Sequence, residues 1–246
     1  MNDDLTPRAA IRAMTQARIN FGPPRRAADT ARTLAFALDH ARAREAVTSE
    51  LDSDRIGAAL AGAGMTHDLI TSAAVTRDVF ITRPDLGRQL PQDQAEGLAQ
   101  YRSPDVALVL GDGLSAVAVA LNGAAFVTEL AAHLRQGGLT FGPVILAQQA
   151  RVALGDGIAQ AMEAKTVVMI LGERPGLSAA DGLGIYITQN PVAQTPDSAR
   201  NCISNVRAEG LPVGEAARQT YELIKAMRAF GSSGVALNQS RSLPKG

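Results

Sequence analysis

Apolar residues recur at helical spacing early in this chain and run unbroken for five or six positions later. In "LTPRAAIRAMTQAR", Thr6 is placed as an N-cap and Pro7 at the first helical position, with Ala and Ile in helical spacing behind them. "FGPPRR" breaks that helix. "DTARTLAFALDHARAREAV" starts a second at Asp29 or Thr30 and aligns Leu34, Ala35, Leu38 and Ala41 on one face. After "GAGM" the pattern changes: "LITSAAV" and "DVFITRP" read as extended, the second stopped by Pro84, and "PQDQAEGLAQYR" as a short helix. From Asp105 onward the two periods alternate. "DVALVL", "PVILAQQ", "TVVMIL" and "GIYIT" are strands. The helices are "AVAVALNGAAFVTELAAHLRQGG", "LGDGIAQAMEA" and the terminal "PVGEAARQTYELIKAMRAFG". Continuous apolar strands separated by helices imply an α/β fold with a mostly parallel sheet covered on both faces. Ligands bind such sheets beyond the carboxyl ends of the strands, which singles out the turns "GDGLS" and "GERPG".

Composition narrows the function classes. The 246 residues are 46% hydrophobic, enough for one sizeable core, and the formal net charge is zero, so no global field favours nucleic acid or an anionic membrane. Trp is absent and aromatics are 4%, which leaves no stacking platform for single strands. The single cysteine, Cys202, excludes an internal disulfide. No apolar run approaches the roughly 18 residues of a membrane span, and "MNDDLTPRAA" has no signal layout. A soluble intracellular protein is expected. The early segment is basic, with Arg8, Arg12, Arg18, Arg25, Arg26, Arg32, Arg42 and Arg44. It reads as a solvated face or as an arm that contacts an anion or another subunit.

The candidate chemistry is sparse. "GDGLSA" matches the G-x-G-x-x-A dinucleotide fingerprint between a strand and a helix, so an NAD(P)-dependent oxidoreductase is the alternative reading. Against it, Asp112 would face a pyrophosphate, and "PVILAQQ" ends in Gln148 and Gln149 without an acid for the ribose. A tight turn with Ser115 as helix cap is the plainer reading. In "GERPG", an unpaired Glu173 in a dry crevice would cost several kcal/mol, so its carboxylate is expected to accept from a ligand or a turn amide, with Arg174 pointing elsewhere. A purely structural turn is the competing reading. Cys202 lies in "ARNCISNV", which shows neither helical nor strand period. "TRPDLGR", Thr82 to Arg88, is an anion site or a solvated corner. His40, His67 and His133 show no metal-ligand spacing, and no residues assemble into a catalytic constellation. The chain reads as a binding platform or one half of a composite enzyme.

"TRPDLGR", "DGLS", "GERPGL" and "CISN", in that order and at these separations, resemble the small (light) subunit of ethanolamine ammonia-lyase, and "AR…GPPRR…T…FALDHARA" resembles the arm of that subunit. The likeness runs from about Ala9 to Phe230. It implies a helical, basic N-terminal region (1–66) and a Rossmann-like three-layer αβα domain (67–246). It also implies a hetero-oligomer with several copies of each subunit, the large one a (β/α)8 barrel that holds substrate and the radical chemistry. The implied reaction is the adenosylcobalamin-dependent conversion of ethanolamine to acetaldehyde and ammonia, with this chain inactive alone. Three corrinoid contacts of the family fall on Val152, Glu173 and Cys202. The chain lacks D-x-H-x-x-G, so the cofactor is expected to keep its own benzimidazole on cobalt. The short stretch before the matched region suggests a free cytoplasmic enzyme, with packaging in a bacterial microcompartment left open.

Overall fold

The structure, a computed structural model, describes residues 7–15, 19 and 30–242; Thr6, Arg18, Arg25, Arg26, Asp29 and the "FGPPRR" break lie outside them. Helix α1 (Pro7–Ala13) begins at the expected proline. Helix α2 (Thr30–Thr48) leaves Leu34 and Leu38 exposed. Helix α3 (Ser53–Gly62), which the apolar pattern did not announce, is capped by Asp52, whose carboxylate accepts from the Arg55 amide at 3.0 Å. It buries Ile56 and Leu60.

Six strands form one sheet among the described residues: β1 (His67–Thr71), β2 (Val106–Gly111), β3 (Val144–Gln148), β4 (Thr166–Gly172), β5 (Leu183–Gln189) and β6 (Asn201–Val206), in the order β1-β3-β2-β4-β5-β6. The first four in that order pair parallel, and β5 and β6 join antiparallel. The remaining helices are α4 (Arg77–Thr82), α5 (Gln92–Leu98), α6 (Ala116–Gln136), α7 (Leu154–Ala161), α8 (Val213–Phe230) and α9 (Val235–Ser242).

Every residue of β2 and β4 is buried because both faces are covered. Val106, Leu108, Leu110, Val168 and Ile170 pack towards Phe126 and Leu130 of α6 and Ile224 of α8. Ala107, Val109, Val167, Met169 and Leu171 pack towards Leu154 and Ile158 of α7 and Leu98 of α5. Each large aliphatic side chain so buried contributes about 1.5–3 kcal/mol. This gives the expected α/β sandwich.

Three expectations are corrected. "DVFITRP" is not extended but forms α4: the Thr76 hydroxyl accepts from the Val79 amide at 3.3 Å, Asp78 sits in the first turn, and Phe80 turns inward, fully buried. "ARNCISNV" contains β6, with Asn201, Ile203 and Val206 inward and Cys202 and Ser204 outward. Helix α6 is long and apolar enough, by length and composition, to cross a membrane. Its apolar residues Ala118, Val119, Phe126, Val127 and Leu130 are fully buried in the core.

Candidate functional site

The two turns singled out by topology lie side by side, because β2 and β4 are neighbours whose pairing ends at Gly111 and Leu171. In the first turn, Gly113 takes φ +54 and lies directly against the backbone of Gly172, while Gly172 lies against the carbonyl of Ser115. A Cβ at either glycine would overlap the other turn's backbone. The Leu114 amide donates to the Gly172 carbonyl at 2.9 Å. The space a pyrophosphate would need is therefore filled by protein, and the dinucleotide reading of "GDGLSA" fails on that ground. Ser115 caps α6 instead, accepting from the Ala118 amide at 3.1 Å and donating to the Ala180 carbonyl at 2.7 Å. Asp112 is fully buried and accepts from the amides of Gln149 and Ala150, both at 2.9 Å, and from Arg77 Nη1 at 3.1 Å. Burial pushes its carboxyl up against the pull of those donors.

The second turn is built differently. The Glu173 amide donates to the Gly182 carbonyl at 2.9 Å, closing the "GERPGL" loop. The carboxylate accepts from one amide, that of Asn205, at 3.2 Å to Oε1 and 3.3 Å to Oε2. Thus "GERPG" and "CISN", far apart in the chain, meet through a single hydrogen bond. A carboxylate has about four acceptor positions, so Glu173 keeps capacity for further donors. Burial pushes it above the usual carboxylate range, partly offset by the Asn205 amide and by Arg207. The side chain lies across Gly182 and Gly184, where no side chain rises from the sheet: a Cβ on Gly184 would stand 3.2 Å from Glu173 Cγ.

Beside it, Cys202 on β6 pairs with Tyr186 on β5. Burial first, then the neighbouring Cys202 and Glu173, push the Tyr186 phenol up to about 12. The Cys202 side chain is exposed, yet close packing on the sheet pushes its thiol up, with the Glu173 charge adding to the effect. Val152, half-buried in the turn after β3, packs on the same apolar cluster as Tyr186. Val152, Glu173 and Cys202 therefore come from three segments onto one side of the sheet. Further along β5 this side is roofed by a bidentate pair, Arg200 to Asp156 at 2.6 and 2.7 Å, with Arg200 also donating to Thr188 at 3.2 Å.

Tyr186 and Asn205 were missed in the sequence. Tyr186 had a signal, the lone aromatic in the apolar "GIYIT". Asn205, at φ +58, had only its place in "CISN". Arg83 in "TRPDLGR" is paired with Asp85 at 2.7 Å. Among the described residues no group of three or more His, Cys, Asp and Glu is arranged to hold a metal ion. A cavity of about 600 Å³ lined by Met65, Tyr101 and Phe141 opens at the opposite end of the sheet. Glu173 is half-buried, on the strand-end side of the sheet.

Fold and site together define an α/β protein with two adjoining turns and a partly satisfied carboxylate at its strand ends. The family model for the ethanolamine ammonia-lyase light chain (EutC) matches residues 6–238. The chain is 40% identical over 242 residues to the ethanolamine ammonia-lyase small subunit of Pseudomonas syringae pv. tomato, covering 96% of this chain and 84% of the relative. It is also 40% identical over 243 residues to that of Ralstonia nicotianae, covering 97% and 90%, and 41% identical over 240 residues to that of Pseudomonas fluorescens Pf0-1, covering 96% and 88%. The chain belongs to the ethanolamine ammonia-lyase small-subunit family.

Proposed function

We propose that the chain binds adenosylcobalamin on the face carrying Glu173, Tyr186 and Cys202, closing over it against the large subunit of an enzyme that converts ethanolamine to acetaldehyde and ammonia. The observation that carries this reading is the Glu173 carboxylate, laid over two side-chain-free glycines with one internal donor and acceptor positions to spare. A corrin ring is broad, flat and fringed with primary amides. It needs acceptors for its N–H groups, and the Glu173 carboxylate offers them. Val152 supplies apolar contact. Cys202, a protonated thiol at neutral pH, packs or makes a weak polar contact and is not a nucleophile.

Adenosylcobalamin, when bound, supplies the radical chemistry, and the protein supplies binding, orientation and exclusion of water. His67 starts β1 and His133 lies in the last turn of α6, at the opposite end of the sheet, while His40 stacks on Phe36 of α2. His67 and His133 would therefore be at the wrong end of the sheet to reach a corrinoid held on the Glu173 face.

Absorbance titration of the two-subunit complex with adenosylcobalamin tests the reading. Glu173→Ala lowers affinity by about tenfold, the loss of a hydrogen bond to a charged group, while the isolated small subunit keeps its melting temperature. Unchanged affinity, or global unfolding of the variant, would return Glu173 to the role of a structural turn.

A further inference from the structure

Beside the Glu173 face lies a cluster of four arginines, Arg77, Arg88, Arg151 and Arg174, of which, among the described residues, Arg77 alone has an ion-pair partner, Asp112. Arg151 follows β3, and its amide donates to the Gly87 carbonyl at 2.8 Å. Its guanidinium lies 4.4 Å from the Phe80 ring centroid, and its buried Nε has no hydrogen-bond partner. Arg77 places its own guanidinium 4.8 Å from the same ring. Only 5% of the Arg77 side chain is exposed. Its Nε donates to the Val47 carbonyl at 2.7 Å and its Nη1 to Asp112 and Gly113, but its buried Nη2 has no partner. A buried N–H without a partner forfeits the hydrogen bond it had to water. Two such groups meet on one aromatic ring.

Their charges add to the cost. Arg88 and Arg174 are exposed, and neither they nor Arg151 form an ion pair among the described residues. The Arg151 guanidinium is pushed below its ordinary range by burial first, then by Arg77, Arg88 and Arg174, with Asp112 opposing them more weakly. Asp112 is already engaged by Arg77 and two amides, and Glu50 acts on Arg77 alone. So many guanidiniums around one half-buried site call for an anion from outside.

We infer that Arg151, with Arg77, Arg88 and Arg174 around it, forms an anion site for the phosphodiester of the corrinoid's nucleotide tail. The inference rests on corrinoid binding as proposed above. Position supports it: Arg151 precedes Val152 and Arg174 follows Glu173, so the cations border the face assigned to the corrin. Chemistry selects the ligand. The corrin's peripheral amides are neutral, and the phosphodiester is the cofactor's one anionic group. Planar guanidinium forks match phosphate oxygens in geometry and charge.

The test titrates the two-subunit complex with three probes: adenosylcobalamin, adenosylcobinamide phosphate (phosphate without the base) and adenosylcobinamide (neither). Arg151→Gln lowers affinity for the two phosphate-bearing probes by about tenfold, as expected for a charge-assisted contact, and moves adenosylcobinamide by less than about twofold. Arg174→Gln, at an exposed turn position that packing does not need, shows the same pattern, so misfolding cannot imitate it. Glu173→Ala weakens all three probes alike. If the arginine variants weaken all three equally or none, the phosphate assignment falls while corrinoid binding stands. If they loosen subunit association in sedimentation with no dependence on phosphate, the cations pair with carboxylates of the large subunit and the assignment also falls. If no probe binds the wild-type complex, the underlying reading falls first.

Discussion

Asp112 and Glu173 stand at almost equivalent places, each one residue past the glycine that ends a central parallel strand, on neighbouring strands of one sheet. Asp112 has two amides and a guanidinium within the chain and no exposed surface. Glu173 has one amide shared between its two oxygens and lies half-buried over glycines. The first carboxylate ties the ends of β2 and β3 together and anchors α4 through Arg77. The second is held in place but not consumed. A carboxylate at a strand end is thus not a ligand site by position alone. What separates the two is the acceptor capacity left after internal donors are counted.

The sharpest way to break that distinction is Asp112→Ala. It strips Arg77 of its buried counter-ion and leaves two amides unpaired. Stability should fall by about 3–5 kcal/mol, lowering the melting temperature of the isolated chain by roughly 10 °C, given about 2–4 °C per kcal/mol at this size. Calorimetry reads it directly, and a fall no larger than that of Glu173→Ala would erase the contrast. A smaller effect is expected at Gly184→Ala, whose new methyl group crowds Glu173 Cγ and the Tyr186 ring, at 3.2 and 3.0 Å. Both neighbours are side chains, so stability moves by no more than about 1 kcal/mol. The displaced carboxylate should weaken adenosylcobalamin binding to the complex by about tenfold. An unchanged titration curve would mean that the orientation of Glu173 does not matter.

The smallest effect lies in pH dependence. Burial raises the folded pKa of Glu173 above its ordinary 4.5. Its contribution to stability is therefore fully present below 4.5 and is lost as pH rises through the folded value. Glu173→Gln removes that loss. Below pH 4.5 the variant and the wild type should melt alike, and above it the variant should be the more stable by under about 1 kcal/mol. Equal melting across the range, or a less stable variant at neutral pH, would show that ionised Glu173 is built into the fold as Asp112 is.

Much of the fold was legible in the chain. "VALVL" and "VVMIL" announced strands buried on both faces, because only a sheet between two helix layers tolerates unbroken apolar runs. "DVFIT" misled because its β-branched and aromatic residues imitate a strand, whereas Thr76 as cap and Phe80 turned inward make a helix. "ARNCISNV" hid its period of two because its polar residues find partners inside: Asn201 accepts from the Gly234 amide, and Arg200 is locked to Asp156. "GDGLSA" fitted a dinucleotide fingerprint until the neighbouring "GERPG" turn was found filling its hollow.

Residue order by itself determined the helices and strands with strong periods, the strand-end location of Asp112 and Glu173, and the family likeness. Those signals are local, carried by neighbours two to four positions apart or by short motifs. The tertiary structure alone decided which carboxylate was satisfied, that Tyr186 would lie opposite Cys202, and that Asn205 would reach Glu173. It also decided that Arg77 and Arg151 would share one ring. Each of these depends on strand order and register, which bring together groups tens of residues apart, and hydrogen-bond satisfaction is a property of that assembled neighbourhood rather than of any stretch of chain.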